Sequence, residues 1–140
     1  MTVRSVAVRL LGVHHVALAV EDLDAAVATY RQLFDAEVEY EGRSEEQGVD
    51  AVYLRVGDGR VELVSPLAED TPVGRFLAKR GEGMHHVAFE VDDVDGAVGE
   101  LAGRGAQMID PEPRPGLAGK RVAFVHPDSL SGVLAEIVGA

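Results

Sequence analysis

The sequence predicts an α+β fold in which two paired βαβββ modules form a partly closed mixed sheet around a central cavity. A fourteen-residue stretch recurs half a chain later, each copy runs from a Val-rich segment through an acidic cluster into a helical pattern, and each is followed by three short strand-like segments. Two such modules side by side can close a sheet around a cavity.

The repeat is HHVALAVEDLDAAV at 14–27 and HHVAFEVDDVDGAV at 85–98, identical at nine of fourteen positions without a gap. In the first copy the acidic cluster is Glu21, Asp22 and Asp24; in the second it is Asp92, Asp93 and Asp95. Acidic residues ahead of a helical pattern cap free backbone N–H groups and suit the helix dipole, so they are read as caps rather than as paired catalytic carboxylates. The first helix is expected over 23–34, with Leu23, Val27, Tyr30 and Phe34 on one face, and the second over 94–104, stopped by Gly105.

Strands are expected at 37–42, 49–56 and 60–64 in the first half and at 107–109, 121–125 and 133–138 in the second. Gly57-Asp58-Gly59 reads as a hairpin turn. Between the halves, Pro72 opens a linker helix placed at about 70–81. The chain of 140 residues, 46% apolar, is read as one domain, 1–140, with module 1 over about 13–65 and module 2 over about 84–138.

Alternate side chains of a strand share a face, which puts His15 with Ala17 and Ala19 toward the cavity and Val16, Leu18 and Val20 toward the helix. The same parity groups His86 with Ala88, Glu62 with Val64, and Glu136 with Leu134 and Val138. His15 and His86 occupy equivalent first strands, and Glu62 and Glu136 equivalent last strands. Two imidazoles and two carboxylates suit one divalent ion such as Co, Mn, Ni, Fe or Zn, so the cavity is read as a metal site. His14 and His85 have the opposite parity and are read as packing or hydrogen-bonding residues.

Composition removes several other functions. The absence of cysteine leaves no thiolate ligand, disulfide or cysteine nucleophile. A net charge of −11 argues against a grip on nucleic acid, which needs Lys and Arg on phosphates. Arg4 and Arg9 break the N-terminal run 1–12 before it reaches signal-peptide length, and no segment approaches the roughly 20 apolar residues of a membrane span. A cytoplasmic protein is expected, with no membrane partner. Gly57-x-Gly59 is too short for a nucleotide loop.

With these residues in place, the chain resembles the vicinal oxygen chelate superfamily of paired βαβββ modules, which includes glyoxalase I, ring-cleaving dioxygenases and antibiotic-resistance proteins. Within it, GVHHVALAV at 12–20, EEQGVDAVYL at 45–54, VELVSPL at 61–67, the stretch 70–95 and KRVAFVHPDSLSGVLAEIV at 120–138 are similar to the methylmalonyl-CoA epimerase family. The resemblance covers nearly the whole chain. It implies a metal held at His15, Glu62, His86 and Glu136, with Gln in many members where Glu62 stands here. It also implies an acyl-CoA substrate, inversion at C2 through a metal-stabilised enolate, a catalytic role for Glu136 and a homodimer.

Some members carry a glutamate acid/base three positions after the Gln-Gly of this motif, where the chain has Ala51. Glu46 is taken as the second acid/base, since Asp50 has the wrong strand parity. Gln47 and Lys120, the latter in a glycine-containing loop, are the expected substrate contacts. For the phosphates of CoA, two basic clusters stand open: Arg75, Lys79 and Arg80, or Arg114, Lys120 and Arg121. The competing readings are a glyoxalase I-like lactoylglutathione lyase and a metal-independent small-molecule binding protein.

Overall fold

Both copies of the repeat fold as strand, N-cap and helix. The computed structural model describes residues 8–140, so the part of the opening run that carries Arg4 lies outside the described residues. The first module comprises β1 (Leu10–Ala19), α1 (Leu23–Phe34), β2 (Val38–Ser44), β3 (Val49–Val56) and β4 (Gly59–Pro66). After α2 (Pro72–Arg80) come β5 (Gly83–Val91), α3 (Val94–Gly103), β6 (Arg114–Pro115), β7 (Arg121–Val125) and β8 (Ala135–Gly139).

The eight strands form one mixed sheet in the order β2-β3-β4-β1-β5-β8-β7-β6. β1 and β5 meet antiparallel at its centre, each flanked by a parallel neighbour, β4 or β8. Reading outward from this seam, the two halves are related element for element, as the repeat demands.

The helix starts are set by the acidic clusters. The Asp22 carboxylate accepts from the Ala25 N–H at 3.0 Å, and the Asp93 carboxylate accepts from the Gly96 N–H at 3.0 Å. At α2 the Thr71 hydroxyl accepts from the Gly74 N–H at 3.0 Å, and Pro72 takes the first turn, where its missing N–H costs nothing.

α1 and α3 pack on one face of the sheet. Leu18, Val20, Leu23, Val27 and Tyr30 close over buried Val52, Leu54 and Leu63. Equivalently, Val94, Ala97 and Val98 close over Val91, Ala123 and Ile137. Burying a side chain such as Leu54 or Leu63 is worth about 1.5–3 kcal/mol, so these two layers hold the strands in register. Phe34 departs from the expected helix stripe: it is 71% exposed, because the chain leaves α1 there through Asp35 in the left-handed conformation.

The opposite face is concave and carries the site. Ala19, Val49, Ala51, Tyr53 and Val64 meet Val73 of α2 and Leu117 of the loop before β7. Tyr40 lies across Gly42, where any Cβ would collide with its ring, and its hydroxyl accepts from the Ala118 N–H at 3.2 Å. That bond ties β2 of the first module to a loop of the second.

Two strand expectations move. The expected strand at 107–109 is reduced to a single bridge between Met108 and Val125, and the short pairing with β7 falls instead at Arg114–Pro115. Pro111 and Pro113 lie between and have no N–H to give a ladder. The last strand starts at Ala135 rather than at 133, because Ser131 and Gly132 turn through positive φ just before it.

Candidate metal centre and active site

The central seam carries three register shifts, and two of them explain how the site is built. Val13 pairs with Phe89 and His15 with Ala88, which leaves His14 as an extra residue in β1. Likewise Ala17 pairs with His86 and Leu18 with Met84, which leaves His85 extra in β5. A bulge re-aims neighbouring side chains that strict alternation would send to opposite faces. Each module thus brings both members of its His-His pair to one site, correcting the parity reading that set His14 and His85 apart.

His15 and His86 turn Nε2 toward each other, 3.2 Å apart. The Glu136 carboxylate lies 3.1 Å from His15 Nε2 and 3.6 Å from His86 Nε2. The Glu62 carboxylate lies 3.6 Å and 3.8 Å from the same two nitrogens. All four residues are buried.

The outer nitrogens are held as well. His14 Nδ1 stands 2.7 Å from His15 Nδ1, and His85 Nδ1 stands 2.8 Å from His86 Nδ1. For Nε2 of His15 and His86 to offer a lone pair to the centre, each must carry its proton on Nδ1 and donate it to the neighbouring ring. His14 and His85 then accept and must be neutral. Burial first, and the adjacent imidazole second, lower both to about 4, so they are neutral at pH 7. Sequence reasoning read these residues as hydrogen-bonding but missed that they orient the ligands; the HH pair repeated in both modules was the available signal.

The electrostatics favour a cation at the centre. Burial pushes the Glu62 carboxyl well up, the Glu136 charge pushes the same way, and the Tyr53 hydroxyl only partly opposes them. Burial also pushes Glu136 up, but in the metal-free site His15 and His86, when they carry a proton on Nε2, donate to it and hold that carboxyl low. Two carboxylates buried this close cannot both ionise cheaply on their own, whereas a divalent ion between them neutralises both.

The donor spacing fits the same conclusion. Two nitrogens each about 2.1 Å from a shared ion, at tetrahedral or octahedral angles, stand roughly 3.0–3.4 Å apart. The observed 3.2 Å between His15 Nε2 and His86 Nε2 falls inside that window. Donor atoms of His15, His86 and Glu136 lie within 4.8 Å of one another; Glu62 is not part of that group, though its carboxylate faces the same two nitrogens from β4.

The remaining site residues are placed as follows. Gln47 lines the same small chamber as Glu62, His86 and Phe124, and its side-chain nitrogen is buried there without a hydrogen-bond partner. Arg114 also reaches this chamber, held by Asp110 at 3.3 Å and stacked over Phe124. Lys120 is half-buried, and its charge reaches His14. Glu46 is exposed on the turn between β2 and β3 and is not among the residues lining the chamber. Asp50 faces away, gripped by Arg43 at 2.8 Å and 3.1 Å. Ala51 is buried on the concave wall beside Tyr53 and Leu117.

Residues 14–124 match the family described as the Glyoxalase/Bleomycin resistance protein/Dioxygenase superfamily. The chain is 38% identical to the mitochondrial methylmalonyl-CoA epimerase of Homo sapiens, over 89% of this chain and 71% of that protein. It is also 38% identical to the ethylmalonyl-CoA/methylmalonyl-CoA epimerase of Cereibacter sphaeroides, over 89% of this chain and 94% of that one. The chain belongs to the methylmalonyl-CoA epimerase family. A solved structure of a variant of the Streptomyces coelicolor methylmalonyl-CoA epimerase, in complex with 2-nitronate-propionyl-CoA, superposes with a TM-score of 0.92 at 38% identity, covering 94% of this chain and 96% of that one. Membership accounts for the paired modules. As a family member with alanine at position 51, this chain presents an apolar wall of Ala51, Tyr53 and Leu117 on that side of the cup.

Proposed function

We propose that the protein is a metal-dependent epimerase that inverts C2 of methylmalonyl-CoA or a close 2-alkylmalonyl-CoA, with His15, Glu62, His86 and Glu136 holding the metal. The observation that carries this reading is the convergence of two histidine Nε2 atoms and two buried carboxylates from equivalent strands of both modules. A divalent ion bound there supplies a Lewis acid beside the thioester oxygen, where negative charge collects when C2 loses its proton.

The chain's own groups then have separable tasks. His14 and His85 fix the tautomer of the two histidine ligands. Gln47, with an unpartnered amide nitrogen in the chamber, is positioned to donate to a substrate oxygen. Lys120, in the loop behind Leu117, offers a charge to the free carboxylate of the malonyl unit. Glu136 is the base assigned to the C2 proton on one face, and a divalent ion held beside it would keep its carboxyl ionised. Glu46 is the proton donor assigned to the other face, and it reaches C2 only if the turn it sits on folds inward over the chamber.

Burial of Tyr53, Phe124 and Val64 around the centre keeps bulk water from a carbanionic species. Part of the same reading is a cytoplasmic homodimer; exposed Leu10, Leu11 and Val13 on β1 offer apolar surface for a second copy.

The test is isotope exchange. Metal-reconstituted protein incubated with one methylmalonyl-CoA epimer in deuterated water should invert C2 and exchange its proton, and Glu136→Ala should lose both. Metal-loaded protein that does neither, but converts the hemithioacetal of glutathione, would replace this reading with the glyoxalase one.

A further inference from the structure

We infer that the Tyr53 hydroxyl divides the work of the two buried carboxylates, fixing Glu62 as a ligand and leaving Glu136 as the one free to turn toward the substrate. The part given to Glu136 rests on the epimerase reading above; the part given to Glu62 does not.

By backbone alone the two carboxylates are interchangeable. Glu62 stands opposite Ala17 of β1 and Glu136 opposite Ala88 of β5, which occupy the same position of the repeat. On the other side each glutamate has an aromatic cross-strand partner: Tyr53 of β3 faces Glu62, and Phe124 of β7 faces Glu136. Directly opposed residues of an antiparallel pair stand close enough for their side chains to touch. Each ring also packs on the histidine ligand of its own module, Tyr53 on His15 with centroids 5.4 Å apart and Phe124 on His86 at 5.2 Å. The pseudo-symmetry thus extends past the four donors to the rings behind them, and between those rings it breaks at a single group, the Tyr53 hydroxyl.

That hydroxyl is held in place. Tyr53 is buried, and its ring is boxed by His15, by His14 at 5.8 Å and by Tyr40 at 5.6 Å. Tyr40 is itself tied through its hydroxyl to the Ala118 N–H. The Tyr53 O–H donates to the Glu62 carboxylate. A buried phenol calls for such a partner, and a carboxylate restrained by it stays turned to the two Nε2 atoms, 3.6 Å and 3.8 Å away. Glu136 has no counterpart to this tether. Phe124 has nothing to donate, and the polar contacts of the Glu136 carboxylate among the described residues are the same two Nε2 atoms. When those nitrogens turn their lone pairs to an ion, neither is left to donate to Glu136, which gives it the freedom a base needs to reach a carbon-bound proton.

Moving a single oxygen tests the assignment from both sides. Tyr53→Phe makes the modules alike: affinity for Co(II), titrated by calorimetry, should fall about tenfold, and the visible absorption of the bound Co(II) should change because Glu62 is no longer held. Phe124→Tyr offers Glu136 the same tether: Co(II) affinity should not fall, while kcat for C2 exchange in deuterated water should drop about tenfold with KM unchanged. Co(II) affinity and absorption both unchanged in Tyr53→Phe overturn the hold on Glu62. Unchanged kcat in Phe124→Tyr overturns the freedom given to Glu136 and leaves the epimerase reading standing. Weakened Co(II) binding in Tyr53→Phe, while the wild-type protein neither exchanges nor inverts C2, supports the hold on Glu62 and sinks the epimerase reading.

Discussion

Replacing His14 with phenylalanine keeps a ring in the bulge and removes the acceptor that faces His15 Nδ1 at 2.7 Å. Partners of this kind fix the orientation of a ligating imidazole, and losing one costs about 10–100-fold in metal affinity. A second readout comes from protons. Burial holds His14 at about 4, against an ordinary value of 6.5. Between those values the unfolded chain binds the proton that the folded one refuses, so stability falls as pH drops from 6.5 toward 4 and is unaffected above 6.5. At pH 5 the penalty is about 2 kcal/mol in the metal-free protein. In His14→Phe that penalty disappears, so the stability lost between pH 7 and pH 5, measured by urea unfolding with chelator present, should shrink by about 2 kcal/mol. Unchanged metal affinity together with an unchanged pH slope would refute the role given to the bulged histidines.

Three further outcomes are expected. Asp22→Ala, which removes the cap accepting from the Ala25 N–H, should cost about 1 kcal/mol of stability by urea unfolding and leave metal binding unchanged. Tyr40→Phe breaks the link to the Ala118 N–H and should cost about 1 kcal/mol, with faster hydrogen exchange at Ala118 as the local signature. Gln47→Ala should raise the KM for the thioester about tenfold with metal content intact, whereas an equal loss of bound metal would mean that Gln47 acts on the ligands instead.

The repeat made the pseudo-symmetric halves legible, because equivalent sequence at a fixed offset must build equivalent elements. β3, α1 and β7 stand at the expected residues, and α2 begins at Pro72. That His15, Glu62, His86 and Glu136 meet was legible for the same reason: His and Glu recur at matching places, and alternation alone put each on the concave face. What alternation could not supply was the pair of bulges, since parity assumes an unbroken ladder and neither His14 nor His85 has a partner across the seam. Tertiary closure was equally hidden. Tyr40 reaching the Ala118 N–H, and Leu117 packing beside Ala51, join residues far apart in sequence with no local signal for the contact. The ion pairs of Arg121 with Asp95 and of Arg114 with Asp110 were hidden too, because they depend on which elements meet.

The central claim is a single metal centre shared by both modules, and metal stoichiometry tests it most directly. Dialysed protein should take up one divalent ion per chain from Co, Mn, Ni, Fe or Zn, and His15→Ala and His86→Ala should each abolish high-affinity uptake while the chain remains folded. Uptake that survives both substitutions, or no uptake of any of these ions by the folded wild-type protein, would contradict it.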